Sequence, residues 1–198
     1  MTPDPISAVR RVITALEALG LAYCIGGSLA SSIYGPPRST NDADLVVALR
    51  AEHVAPLVAA LDQHFMIDQD SVRRAIAQQR SFNVIDYDTL DKIDIFVMTD
   101  RPWSQQQLAR RRRATFSDEP DAPALFFASP EDVVLSKLDW YRRGDEISDR
   151  QWLDILNVLA GQSNDLDWPY LRRWASELGV SDLLVRAAAQ SEQTDTRE

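Results

Sequence analysis

Arg38-Ser39-Thr40-Asn41-Asp42-Ala43-Asp44-Leu45-Val46-Val47 is the stretch on which the reading of this chain turns. Asp42 and Asp44 alternate with apolar residues in a strand-like pattern that runs on to Leu49. A period of two puts both carboxylates on one face of a sheet. Two such groups repel each other unless a cation lies between them. Mg²⁺ takes oxygen ligands and is commonly held by one or two carboxylates together with substrate phosphates. Acids two residues apart also occur on solvated strand faces, so the pattern alone leaves both readings open. A calcium loop of the EF-hand kind is excluded, because Val47 stands where that loop requires glycine.

Upstream, the apolar run Leu21 to Ile25 reads as a short buried strand and Leu29 to Tyr34 as a helical turn or two. Gly26-Gly27-Ser28 lies between them. Glycine lets a backbone approach a phosphate closely, and a helix N-terminus presents N–H groups to an anion. The segment is neither a Walker loop nor a dinucleotide fingerprint, and a tight turn packing a helix on a strand is its plainer reading. Ile6, Val9, Ile13, Leu16 and Leu19 have helical spacing, with Gly20 as the stop. Gly35-Pro36-Pro37 opens the loop that leads to Asp42.

Downstream, Ala51 to His64 predicts a helix and Phe65 to Ile67 a strand. Phe82–Tyr87 and Lys92–Met98 predict a hairpin that turns at Asp88-Thr89-Leu90-Asp91. Asp94 interrupts an otherwise apolar strand, Ile93-Asp94-Ile95-Phe96-Val97, where an unpaired buried acid is costly. Set beside Asp42 and Asp44, it would complete three carboxylates around one or two metal ions. Asp86 and Asp88 are its substitutes on the preceding strand. A polar helix is expected from Trp103 to Arg113, and an edge strand from Phe116 and the run Ala124 to Ala128.

The last third is helical. Ser129-Pro130-Glu131-Asp132 has an N-cap serine, a proline in the first turn and an acid three residues after the cap. Ser148 opens a second helix, Asp167 a third and Ser181 a fourth, and the polar end is expected to fray. The fold class is therefore α+β. The division is a mixed-sheet core over residues 1–125, a helical part over 126–190 and a tail over 191–198. Lys137 borders an apolar helix face, which suits a snorkelling lysine as well as a functional one. Asp154 suits a structural salt bridge as well as a site.

Gly27-Ser28, then Arg38 through Leu45 as R-x-T-x-D-x-D-L, then Asp94, resembles the nucleotidyltransferase superfamily with a polymerase-β-like core, in the form of AbiEii-type and related toxin-like bacterial members. Pro130-Glu131-Asp132 followed by Lys137-Leu138 is similar to a helix of the same group, and Asp154-Ile155-Leu156 to the next one. The resemblance spans roughly residues 20–160. It implies a nucleotidyltransferase-like mixed sheet flanked by helices, followed by a helical C-terminal part that completes a nucleotide cleft. It implies that Asp42, Asp44 and Asp94 ligate Mg²⁺, in a site with room for two ions. Gly27, Ser28, Arg38, Thr40, Lys137 and Asp154 would bind a nucleoside triphosphate such as ATP, and Asp42, Asp44, Asp94 and Lys137 would carry catalysis. The acceptor hydroxyl in this group belongs to an RNA 3′ end such as that of tRNA, a protein side chain, or a small molecule such as an aminoglycoside. A toxin-type member works against an antitoxin partner. A non-catalytic nucleotide-binding or interaction module of the same fold is the rival from another class.

Composition narrows the field. The chain has 198 residues, 45% hydrophobic and 26% charged, enough to bury a core. Its formal charge of -9 argues against a surface coated in cations for sequence-blind nucleic-acid binding. Arg110-Arg111-Arg112-Arg113 is the one dense basic run, readable as an RNA contact or as a solvated helix end. Lys92 and Lys137 are the only lysines, which marks each for attention. The single Cys24 excludes an intrachain disulfide and reads as a buried thiol. No signal peptide or membrane span is expected, and the cytoplasm is the expected location.

Overall fold

The computed structural model describes residues 6–40, 42–116 and 123–195. Asn41 of the motif and the tail beyond 195 lie outside the described residues. In chain order the elements are α1 (Ser7–Ala18), β1 (Tyr23–Ile25), α2 (Gly27–Tyr34), β2 (Asp42–Val47), α3 (Val54–Leu61), β3 (Phe65–Met66) and α4 (Gln69–Gln78). There follow β4 (Ser81–Asp86), β5 (Lys92–Val97), α5 (Pro102–Ala109), β6 (Arg112–Ala114) and β7 (Leu125–Phe127). The helices α6 (Pro130–Arg143), α7 (Asp149–Gly161), α8 (Trp168–Leu178) and α9 (Ser181–Asp195) complete the chain. The fold is α+β, as expected from the sequence. Among the described residues no helix is long and apolar enough to cross a membrane.

Two compact units divide the chain, and they do not follow its order. One holds the chain up to Ile25 together with Ser39–Ala109; the other holds Gly26–Arg38 and everything from Arg110 onward. The segment Gly26–Arg38 thus belongs with the C-terminal helices, across the division the sequence suggests at residue 125.

In the first unit the strands lie in the order β3-β4-β5-β2-β1, with β2 parallel to β5 and the other pairs antiparallel. Leu45, Val47, Val84, Ile93 and Ile95 are buried on one face. Arg11 of α1 reaches onto that face and bonds Asp86 at 2.5 Å. Asp86 is fully buried and also accepts the N–H groups of Asp88 (2.9 Å) and Thr89 (3.2 Å), so it fixes the turn between β4 and β5. Asp86 therefore serves the hairpin and faces away from Asp94. Cys24 is buried and free, as its apolar surroundings predict.

Helix α4 has no counterpart in the sequence reading. Its signal is local: the Asp68 carboxylate accepts the Ser71 N–H, and Val72 and Ala75 supply the buried face. The helix expected from Trp103 to Arg113 instead ends at Ala109, and Arg112–Ala114 forms β6. Pairing with β7 decides this, through the register of Arg112 with Phe127 and Ala114 with Leu125. In the second unit α9 continues to Asp195, into the stretch expected to fray.

Candidate functional site

The first unit presents an acidic sheet face. Parallel pairing sets Asp44 beside Asp94 and Asp42 beside Lys92. Register partners share a face and alternation repeats it every second residue, so all four side chains lie on one side, opposite the core. Asp42 is exposed and Asp44 half-buried. Lys92 Nζ stands 2.8 Å from Asp94 Oδ2. The Asp94 bond holds the Lys92 ammonium above its usual pKa; burial, the next largest effect, opposes it, and the charges of Asp94, Asp42 and Asp44 reinforce it. Thr40 serves the entry to β2, with its hydroxyl 3.1 Å from the Asp42 carbonyl oxygen and 3.4 Å from its N–H.

The donors on this face are all carboxylate oxygens, which suit Mg²⁺. Among the described residues, however, no three acidic, histidine or cysteine side chains form a group able to hold a metal. Asp94 lies in an ion pair with Lys92. Asp42 and Asp44 offer two further carboxylates on the same face.

The second unit presents a cationic cluster around one carboxylate. Arg38 Nε and Nη2 donate to the two oxygens of Asp154, each at 2.9 Å, in the bidentate geometry that fits guanidinium to carboxylate. Lys137 Nζ donates to Asp154 Oδ2 at 2.8 Å. Arg38 also donates to the Ser28 hydroxyl. Burial pushes the Asp154 carboxyl up, but the bonds from Arg38 and Lys137 outweigh it and hold the group below the usual carboxylate range.

Local sequence explains why these four residues meet. Gly27 adopts a φ of 55°, and Ser28 follows it in the first turn of α2. Gly26, at the N-cap, has no side chain to satisfy that turn, so its N–H groups have neither a side-chain cap nor an intrahelical acceptor. Ser129 caps α6, which carries Lys137, and Ser148 caps α7, which carries Asp154. Helices α2 and α7 approach closely through glycines: a Cβ on Gly161 would strike the Tyr34 carbonyl, and one on Gly35 would lie 3.1 Å from Asn157. The Tyr34 hydroxyl donates to the Ala128 carbonyl at 2.8 Å, which fastens the end of α2 beside the start of α6.

The acids of Pro130-Glu131-Asp132 point elsewhere. Glu131 is fully buried, accepts the Asp167 N–H at 3.0 Å, and lies 3.2 Å from Arg110 and 3.6 Å from Arg112. Asp132 accepts the hydroxyls of Tyr170 and Ser129, both at 2.8 Å. Burial, then the charge of Asp132, pushes the Tyr170 phenol far above its ordinary range. Arg110 also stacks on Tyr170, and Arg111 on Phe126. Arg110, directly after the end of α5, and Arg112 brace α6 and α8 through Glu131, while Arg111 and Arg113 lie over Phe126.

Sequence reading singled out Lys92 for its rarity alone and missed its ion pair. The signal was the spacing Lys92-Ile93-Asp94, which on a strand puts cation and acid on the same face.

No family model matches the sequence, and no curated protein is similar enough to match it. Solved structures are similar in fold. The antibiotic-resistance factor ANT(2'')-Ia is 13% identical, with both chains covered in full and a TM-score of 0.53. A nucleotidyltransferase-like antigenic protein from Paracoccidioides brasiliensis is 17% identical, with 96% of this chain and 94% of that one covered and a TM-score of 0.54. The lincosamide antibiotic adenylyltransferase LnuA, bound to lincomycin, is 11% identical, with 80% of this chain and 96% of that one covered and a TM-score of 0.50. The chain shares the fold of these proteins, a mixed sheet flanked by helices.

Proposed function

We propose that this protein moves a nucleoside monophosphate from a nucleoside triphosphate to a hydroxyl acceptor. The observation that carries the reading is the register of β2 and β5, which sets Asp44 beside Asp94 on the face that also bears Asp42. The cationic cluster supplies the complementary need. A triphosphate requires cations for its phosphate tail and a metal-bearing acidic site, and only three residues separate Arg38 from Asp42 in the chain.

Each residue then has a role. Asp42 and Asp44 hold Mg²⁺, which neutralises charge on the phosphates when bound. Ser28, the first-turn N–H groups of α2, Arg38 and Lys137 hold phosphate oxygens, with Asp154 orienting both cations. Asp94 accepts the proton of the acceptor hydroxyl. The hydroxyl oxygen bonds to the α-phosphorus as the bond to the pyrophosphate oxygen breaks, and pyrophosphate leaves. Positioning and charge neutralisation supply most of the acceleration.

Two observations favour a small hydroxylated acceptor over an RNA 3′ end. Similar folds include an antibiotic adenylyltransferase and an antibiotic-resistance factor. Arg110 and Arg112, the basic run best suited to an RNA backbone, are engaged with Glu131. An RNA acceptor with an antitoxin partner is the second reading within the same chemistry.

Calorimetry with nonhydrolysable triphosphate analogues, with and without Mg²⁺, tests the site. Binding should depend on Mg²⁺ in the wild type and lose that dependence in Asp42→Ala/Asp44→Ala. Pyrophosphate release on adding small polyols, aminoglycosides or tRNA then separates the enzyme from a non-catalytic nucleotide-binding module. A wild type that binds no triphosphate in the presence of Mg²⁺ sinks the reading.

A further inference from the structure

Asp42, Asp44, Lys92 and Asp94 form a block of two by two on parallel strands, with Lys92 beside Asp42 and Asp94 beside Asp44. The ammonium stands 2.8 Å from Asp94 and feels all three carboxylates. Residues i and i+2 of a strand are roughly 7 Å apart along one face, a span that a lysine stem covers. The ion pair is therefore built into β5 and needs no other element to form. Two-metal sites set their ions about 3.5–4 Å apart, with carboxylates serving both. Here the carboxylate that a second ion would need already has a cation of its own.

We propose that Lys92 is the resident cation of the third carboxylate and limits the site to one divalent ion, held by Asp42 and Asp44. Lys92 is then a positioning residue: its ammonium, 2.8 Å from Asp94, orients that carboxylate without a metal on it. A second divalent ion would have to displace an ammonium from its partner and then sit beside it. The inference rests on the nucleotidyltransferase reading and deepens it by fixing the metal stoichiometry.

The test counts ions and not turnover. Mn²⁺ is titrated into the full chain, saturated with a nonhydrolysable triphosphate analogue, and bound ions per chain are read from the loss of the free Mn²⁺ signal in electron paramagnetic resonance. The wild type should take up one ion, Lys92→Arg one, and Lys92→Met two, the second binding at least tenfold tighter than any second ion in the wild type. Lys92 is 40% exposed, so its replacement should leave the fold intact, which a urea titration checks. Two ions in the wild type, or one in a folded Lys92→Met, overturn this inference and leave the nucleotidyltransferase reading standing. No analogue and no Mn²⁺ bound by the wild type overturns both.

Discussion

The two charged clusters are built on opposite plans. On the β2–β5 face three carboxylates lie around one lysine, and the groups range from half-buried to exposed, with Asp94 at 23% and Lys92 at 40% exposure. Around Asp154 two cations share one carboxylate, and Asp154 and the Lys137 side chain are only 5% and 9% exposed. The acidic face can stay charged in excess because water screens it. Asp154 and Lys137 are largely out of water and bonded to each other, while Arg38, 27% exposed, closes on the same carboxylate. Excess negative charge left open to solvent suits the capture of a cation. Excess positive charge held in place suits the docking of an anion without reorganisation. The buried cluster is thus expected to govern stability as well as binding, and the open one binding alone.

The largest effect should come from Asp154→Ala. It leaves Arg38 and Lys137 without their carboxylate, and breaking such a buried pair costs about 3–5 kcal/mol. Urea unfolding measures it, and a loss under about 1 kcal/mol would erase the contrast between the clusters. An intermediate effect concerns acid. Asp154 and Glu131 are both held below the usual carboxylate range, each against an opposing effect of burial. Their stabilisation is complete above the unfolded carboxylate value of about 4 and is lost as pH falls through their depressed native values. Urea midpoints taken from pH 6 downward should therefore drop below about pH 4, and less steeply in Asp154→Asn. The smallest effect belongs to Asp42→Ala/Asp44→Ala. Removing two like charges from an open face should leave the urea midpoint unchanged or slightly raised while Mg²⁺-dependent binding is lost. A clear destabilisation would show the acidic face to be structural.

Much of this was legible in the sequence because it is local. Alternation put Asp42 and Asp44 on one face, and capping residues marked α6, α7 and α8 at Ser129, Ser148 and Asp167. Where local signals competed with pairing, the reading failed. The polar run to Arg113 is helical by pattern, yet β7 recruits Arg112–Ala114 as a strand. Helix α4 was missed because its apolar face is narrow, with Val72 and Ala75 as its buried residues.

The sequence alone settled which side chains share a strand face or a helix turn, because the backbone repeats of two and 3.6 residues follow from covalent geometry. It thereby named the acidic pair, the glycine-serine turn and the two lysines. It did not settle which elements become neighbours. That Asp94 lies beside Asp44 and not across the sheet is a consequence of parallel pairing between β2 and β5. That Arg38 and Lys137 close on Asp154 depends on α2 reaching α7 through Gly35 and Gly161. Such meetings are fixed by packing between residues far apart in the chain, and local periodicity carries no information about them.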